Sequence, residues 1–249
     1  MKAAGKFYST KAIADIFGVH PNTVRLYERW GYLARAERSG SNYRRFNNDH
    51  LRQMRLARTA LPGPYPIDGT LVHGMVKKYA AGDTGGAIRM AEEYLAGVEA
   101  ERGKAVQAMG VLDRWFARKP GSKTTIVHVT RREAAAALGL TVDAIRTWER
   151  NGLCRIAKAA GGKMRFSEWD IEKLMVIRLL RNCGYSIASL RNVFGNEANL
   201  LAKPSELLSL ENSEADISYY TDRYGEYLAG HIDRAKAIIR LLREDPGSA

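Results

Sequence analysis

Cysteine is nearly missing from this chain: Cys154 and Cys183 are the only two in 249 residues. They share no metal or redox spacing, which fits a reducing cytosol, excludes a disulfide frame and leaves both as small apolar residues. The five histidines, His20, His50, His73, His128 and His231, fall at no ligand spacing. A nucleophile motif and a phosphate-binding glycine loop are lacking too, so no catalytic residue, metal site or cofactor is expected. No apolar run approaches the ~20 residues that span a bilayer, and no charged-then-apolar signal opens the chain. A soluble protein without a membrane partner, staying where it is made, is the expectation.

Acid is in deficit. The formal net charge is +12, with 39 Lys and Arg against 27 Asp and Glu. Met1–Ala60 carries +8 and Lys123–Gly195 carries +7, leaving −3 for everything else. A basic total alone says little, but basic charge confined to two blocks points to an acidic polymer or surface as partner.

Those blocks are copies of one another. VRLYERWGYL at Val24–Leu33 returns as IRTWERNGLC at Ile145–Cys154, matching Arg25 with Arg146, Tyr27 with Trp148, Glu28 with Glu149, Arg29 with Arg150 and Gly31 with Gly152. The register reaches back to Gly18 with Gly139 and, after a one-residue slip, forward to Phe46 with Phe166. Two copies imply two domains and a two-fold object.

Local signals place the elements. Ser9 and Thr130 read as helix N-caps, with Glu133 completing a capping box on Thr130, and Gly18 and Gly139 close these first helices. His20 before Pro21, and Thr141 before Val142, open second helices. A short helix, a glycine turn and a second short helix is the helix-turn-helix pattern. Basic, glycine-bearing stretches follow at Arg35–Arg45 and Arg155–Arg165 and read as hairpin wings. A third helix starts near Asn48 or Glu168, and a turn at Gly63–Pro66 or Gly184–Ser186 leads to a fourth.

Each block ends in a long amphipathic helix. Ile88, Ala91, Leu95, Val98, Arg102, Ala105, Met109, Leu112 and Phe116 alternate steps of three and four, as do Ile217, Thr221, Tyr224, Leu228, His231, Ala235, Ile238 and Leu242. Such seams suit a coiled-coil partner, and about 30 residues make a rod of roughly 45 Å. EYLAG recurs at Glu93–Gly97 and Glu226–Gly230, so the rods belong to the repeat. On these seams Arg102 and His231 read as tolerated polar residues that fix register. Tyr219, Tyr220, Tyr224 and Tyr227 read as packing rather than as a ligand pocket.

The second helices present Arg25, Tyr27 and Arg29, and Arg146, Trp148 and Arg150. Arginine pairs bidentately with guanine or phosphate, and such a helix suits a major groove. The residues that differ between the copies at the start of these helices, His20, Asn22 and Thr23 against Thr141, Asp143 and Ala144, would give the two helices unlike preferences. The wings add Arg35, Arg38, Tyr43, Arg44 and Arg45 in the first copy, and Arg155, Lys158, Lys163 and Arg165 in the second. For Tyr27 and Trp148 a core position is as good a reading as a contact.

At these residues the chain resembles the MerR (mercury-resistance regulator) family of bacterial transcription regulators, with VRLYERWGYL and NYRRF close to the family pattern. The second copy departs at the wing, where GKMRF puts Lys163 for the tyrosine and Met164 for the first arginine. The resemblance implies that Arg25 and Arg146 contact DNA, that Tyr43, Arg44 and Arg45 grip phosphates, and that Glu28 and Glu149 orient neighbouring arginines. It implies a mainly α fold: two winged helix-turn-helix domains, each followed by a coiled-coil helix, arranged as an intramolecular pseudo-dimer.

The expected boundaries are 1–76 for the first DNA-binding domain, 86–117 for its rod, 118–128 for the linker, 129–196 for the second domain and 214–244 for its rod. A linker of 11 residues reaches at most roughly 36 Å. The expected function is a cytoplasmic, nucleoid-associated transcription regulator. It would bind an imperfect palindrome in double-stranded DNA as a single-chain pseudo-dimer and distort it, with RNA polymerase as a further partner. The alternative is an architectural DNA-bending factor for recombination, excision or chromosome organisation.

Overall fold

The computed structural model describes residues 6–116, 126–127, 129–158, 164–194 and 214–244. They fall into two compact units, Met1–Glu101 with Leu228–Ala249, and Arg102–Tyr227.

In the first unit, helix α1 (Thr10–Ile16) starts where the Ser9 hydroxyl accepts the Ala12 N–H at 3.1 Å, and turns Ile13 and Ala14 inward. Gly18 takes φ +60°, a conformation in which only glycine is unstrained, and ends the helix. Helix α2 (Pro21–Arg29) follows with Pro21 at its first position, where the lost N–H has no helical partner anyway. Strands β1 (Glu37–Arg38) and β2 (Arg44–Arg45) form the expected hairpin, Glu37 opposite Arg45 and Arg38 opposite Arg44. Just beyond it, Tyr8 and Phe46 exchange backbone hydrogen bonds at 2.7 and 3.0 Å, tying the start of the module to the far side of the wing. Ile13, Val24, Leu33, Phe46 and Met54 make the core beneath the two helices.

Helix α3 (Asn48–Ala60) carries a capping box that the sequence did not advertise, Asn47 with His50 in place of the usual acid. Its Gln53 accepts the Ala34 N–H at 2.8 Å and donates to the Ala80 carbonyl at 3.4 Å, fixing the chain after α2 to the end of α4 (Thr70–Ala80). Between α3 and α4, Tyr65 donates to the Leu61 carbonyl, and Ile67 lies so close to Gly97 that a Cβ there would approach it to 2.6 Å. A side chain at the glycine of the first EYLAG would oblige the tip of Ile67 to shift. At Gly230, its counterpart, a Cβ would meet nothing.

The second unit repeats the plan with α6 (Arg131–Leu138), α7 (Val142–Arg150), β4 (Ala157–Lys158), β5 (Met164–Ser167), α8 (Glu168–Asn182) and α9 (Ile187–Phe194). The Thr130–Glu133 capping box is present, and Gly139 and Gly152 take φ +61° and +74°. Strand β3 (Ile126–Val127) pairs with β5, Ile126 opposite Ser167 and Val127 opposite Phe166. This strand falls inside the stretch expected to be linker, 118–128, whose other residues lie outside the described ones. Strand β3 thus does for the second hairpin what Tyr8 does for the first.

The long helices are α5 (Thr84–Phe116) and α10 (Glu214–Arg243), and the boundary between the units cuts both. On α10 the described part of the expected seam is buried: Tyr224, Leu228, His231, Ala235, Ile238 and Leu242. On α5 the seam runs through Ala87, Ala91, Tyr94, Val98, Glu101, Ala105, Ala108 and Leu112. Every second member is one residue earlier than expected. Arg102 is consequently exposed, and the buried charge is Glu101. The reason shows in the first unit, where the Tyr94 hydroxyl lies 2.9 Å from His231 Nδ1. Tyr94 rather than Leu95 turns inward, because it brings an apolar ring and a polar tip that His231 satisfies. Arg234 donates to the Pro62 carbonyl, and Arg243 pairs with Glu92, each at 2.6 Å. These contacts bind the end of α10 to the first unit.

Burial, with Arg234 beside it, holds the His231 imidazole below its usual value, partly offset by the Pro64 carbonyl. Burial does the same to His50. Both groups fold neutral, so the unfolded chain takes up protons first, and stability falls as pH drops below 6.5. Thermal unfolding of the wild type should show a midpoint that falls from pH 7 to pH 5. His231→Gln should show a shallower fall, and parallel pH profiles for the two proteins would contradict the assignment.

Candidate nucleic-acid interface

The two candidate surfaces are built alike on α2 and α7. Val24 and Ile145, fully buried, fix the rotation of each helix about its axis. Arg25 and Arg146, one residue further, are consequently exposed, and so are Arg29 and Arg150. His20, Asn22, Thr141 and Asp143 are exposed at the helix starts, with Thr23 half-buried behind them. His20 and Thr141 are caps: His20 Nδ1 accepts from the Asn22 N–H at 3.2 Å, and Thr141 Oγ1 from the Ala144 N–H at 3.0 Å. Each arginine is held by the residue three before it, Arg25 by Asn22 at 2.7 Å and Arg146 by Asp143 at 3.0 Å. Arg150 donates to the Thr147 hydroxyl at 3.1 Å.

The aromatic pair divides. Trp148 is only 6% exposed and belongs to the core of its module, one of the two positions the sequence left open for it; it does not lie on the exposed face with Arg146 and Arg150. A large indole on the inner side of a nine-residue helix buries more apolar area than any small residue could. Tyr27 is half-buried against the first core, edge-on to Tyr32 at 5.7 Å between ring centroids.

In the first wing, Arg38 folds back onto the Asn42 side chain and carbonyl, both at 3.1 Å, and stabilises the hairpin tip. Tyr43 stands 75% exposed at that tip, and Arg35 is exposed at the wing's base. Arg45 lies over the ring of Phe7, 3.7 Å from its centroid, a support that sequence reasoning passed over because Phe7 precedes the first helix. Arg44 has a different task. Its Nε donates to Glu28 Oε2 at 2.6 Å, while Glu28 Oε1 accepts the Ala36 N–H at 3.1 Å. The carboxylate thus clamps wing to recognition helix.

In the second module Glu149 instead pairs with Arg131 of α6 at 2.8 Å. The exchange follows from the sequence: Met164 stands where Arg44 would be, and Arg131 stands where the first copy has Thr10. The clamp is kept, but it now joins α6 to α7. Arg155 is exposed. Lys158 and Arg165 lie on β4 and β5, which pair antiparallel, and Lys163 lies outside the described residues.

Burial pushes the thiols of Cys154 and Cys183 up to about 12, so neither is a thiolate at neutral pH. Among the described residues no group of acids, histidines and cysteines is placed to hold a metal, and no helix is long and apolar enough to cross a membrane.

Glu28 is 10% exposed and Arg44 28%, so breaking their pair should cost about 1–3 kcal/mol. A double-mutant cycle with Glu28→Gln and Arg44→Met, read by chemical denaturation, should show coupling of about 1 kcal/mol or more. Strict additivity would reduce the pair to an idle surface contact.

No curated protein and no solved structure matches the chain. One family model does, described as MerR HTH family regulatory protein, and it matches twice, over residues 8–69 and 129–197. The two matches take in α1 to α3 of the first module and α6 to α9 of the second, together more than half of the chain. With two such matches covering more than half of its length, the chain belongs to the MerR HTH family of regulatory proteins and carries the family's DNA-binding HTH region in tandem.

Proposed function

We propose that this protein regulates transcription by binding an imperfect palindrome in double-stranded DNA as a single-chain pseudo-dimer. One module occupies each of two major-groove segments, with the wings on flanking phosphates. The observation that carries the reading is the duplicated surface itself: Arg25 with Arg29, and Arg146 with Arg150, exposed on helices whose rotation is fixed by Val24 and Ile145. Arginines there can reach both phosphates and guanine edges.

The pseudo-dimer is supported by the division of the chain. Each unit takes one module together with part of each long helix, since α5 is cut at Glu101 and α10 at Leu228. The alternating steps of four and three along α5 are those of a coiled-coil seam. Joining both halves in one chain makes their association intramolecular and independent of concentration. Two modules joined in one chain also favour DNA that bends to meet both, so part of the specificity is indirect readout. Contact with RNA polymerase and association with the nucleoid follow from the regulator reading.

Light scattering at micromolar concentration should give a mass near 27.7 kDa. Twice that mass, with no folded monomer on dilution, would overturn the single-chain reading. On the selected site, Arg25→Ala and Arg146→Ala should each weaken binding by about 1–3 kcal/mol. Bending of DNA without any promoter response in a reporter would favour an architectural role instead.

A further inference from the structure

The two recognition helices differ in one pair of side chains that have the same geometry and opposite electrical consequences. Arg25 is held by Asn22, and Arg146 by Asp143, in each case through Nη1 and the residue one turn earlier. Asn22 is neutral and both donates and accepts, whereas Asp143 is charged and only accepts. Arg25 therefore keeps its full positive charge at the surface. The Arg146–Asp143 pair is electrically neutral.

Asp143 neither caps α7 nor packs into its core. Its side chain is 85% exposed, the cap of α7 is already supplied by Thr141, and the first module builds the same helix with asparagine at that position. Nor is it the only acid available to hold an arginine on this helix. Glu149 sits deeper and is engaged by Arg131. Asp143 is left at the solvent end of α7, on the side where Arg146 emerges.

Facing DNA, a neutral pair gains little from the phosphates, and its carboxylate is repelled by them. In the major groove the carboxylate meets a donor only at the N4 amino group of cytosine or the N6 amino group of adenine; guanine O6 and N7 and thymine O4 present acceptors. We infer that Asp143 is the specificity-determining residue of the second module. The first module, with Arg25 uncompensated, contributes the larger share of the sequence-independent affinity. The second engages only where an amino-bearing base stands opposite Asp143 and leaves Arg146 directed at a neighbouring guanine or phosphate. This inference deepens the DNA-binding reading and rests on it.

The test compares wild type, Asp143→Asn and Asn22→Asp by selection from randomised duplexes and by salt titration on an unrelated duplex. Asp143→Asn should bind the unrelated duplex about 2- to 10-fold more tightly at low salt and steepen the log–log salt slope by up to about one unit. Its selected motif should lose the preference for cytosine or adenine at one position of one half-site. Asn22→Asp should weaken binding to the unrelated duplex and add such a preference in the other half-site. An Asp143→Asn protein with the wild-type motif and the wild-type salt slope would overturn the inference. Wild-type protein that retained no duplex at low salt would overturn the DNA-binding reading itself, a result distinct from any difference among variants.

Discussion

The carboxylate of Glu28 is fastened on two sides, by the Arg44 guanidinium and by the Ala36 backbone N–H, and the first module is organised around that fastening. Recognition needs a helix and a hairpin presented together at fixed separation, yet the two are joined only by a loop without repetitive structure. Hydrophobic burial fixes the helix through Val24 and the hairpin's flank through Phe46. Neither contact orients the wing's cations. The charged clamp fixes Arg44 and with it the strand, because a largely desolvated carboxylate tolerates few geometries, while Arg38 and Arg45 are held by Asn42 and Phe7.

The second module shows that the requirement belongs to the glutamate rather than to one partner. With methionine at 164, the wing has no arginine in register for Glu149, and Arg131 of α6 answers it instead. The carboxylate stays satisfied, as a half-buried charge must. What changes is which elements are locked together: helix to wing in one copy, helix to helix in the other. The second wing is then held by backbone pairing, β3 with β5 and β5 with β4.

Much of this was legible in the sequence because the relevant physics is local. Ser9, Thr130 with Glu133, Pro21 and the glycines at 18 and 139 announce helix ends through their own hydrogen bonds and backbone preferences. The pairing of Glu28 and Glu149 with arginines was also within reach, though which arginine was not. Features that depend on distant partners were hidden. Hydropathy favours Leu95 over Tyr94 for the seam, but His231, 137 positions along the chain, makes the tyrosine the better choice. Strand β3 spans only two residues and exists because β5 is there to pair with. Trp148 and Tyr27 occupy equivalent positions, and only the packing around them decides that the indole is buried while the phenol is half-covered.

A protein that builds two recognition surfaces from one coding segment must accept every change in both places at once. Here asparagine at 22 and aspartate at 143 hold equivalent arginines in separate copies. The chain therefore has two unlike modules, each free to diverge without the other. An object with ends of different kinds can lie on a linear polymer in one direction and not the other.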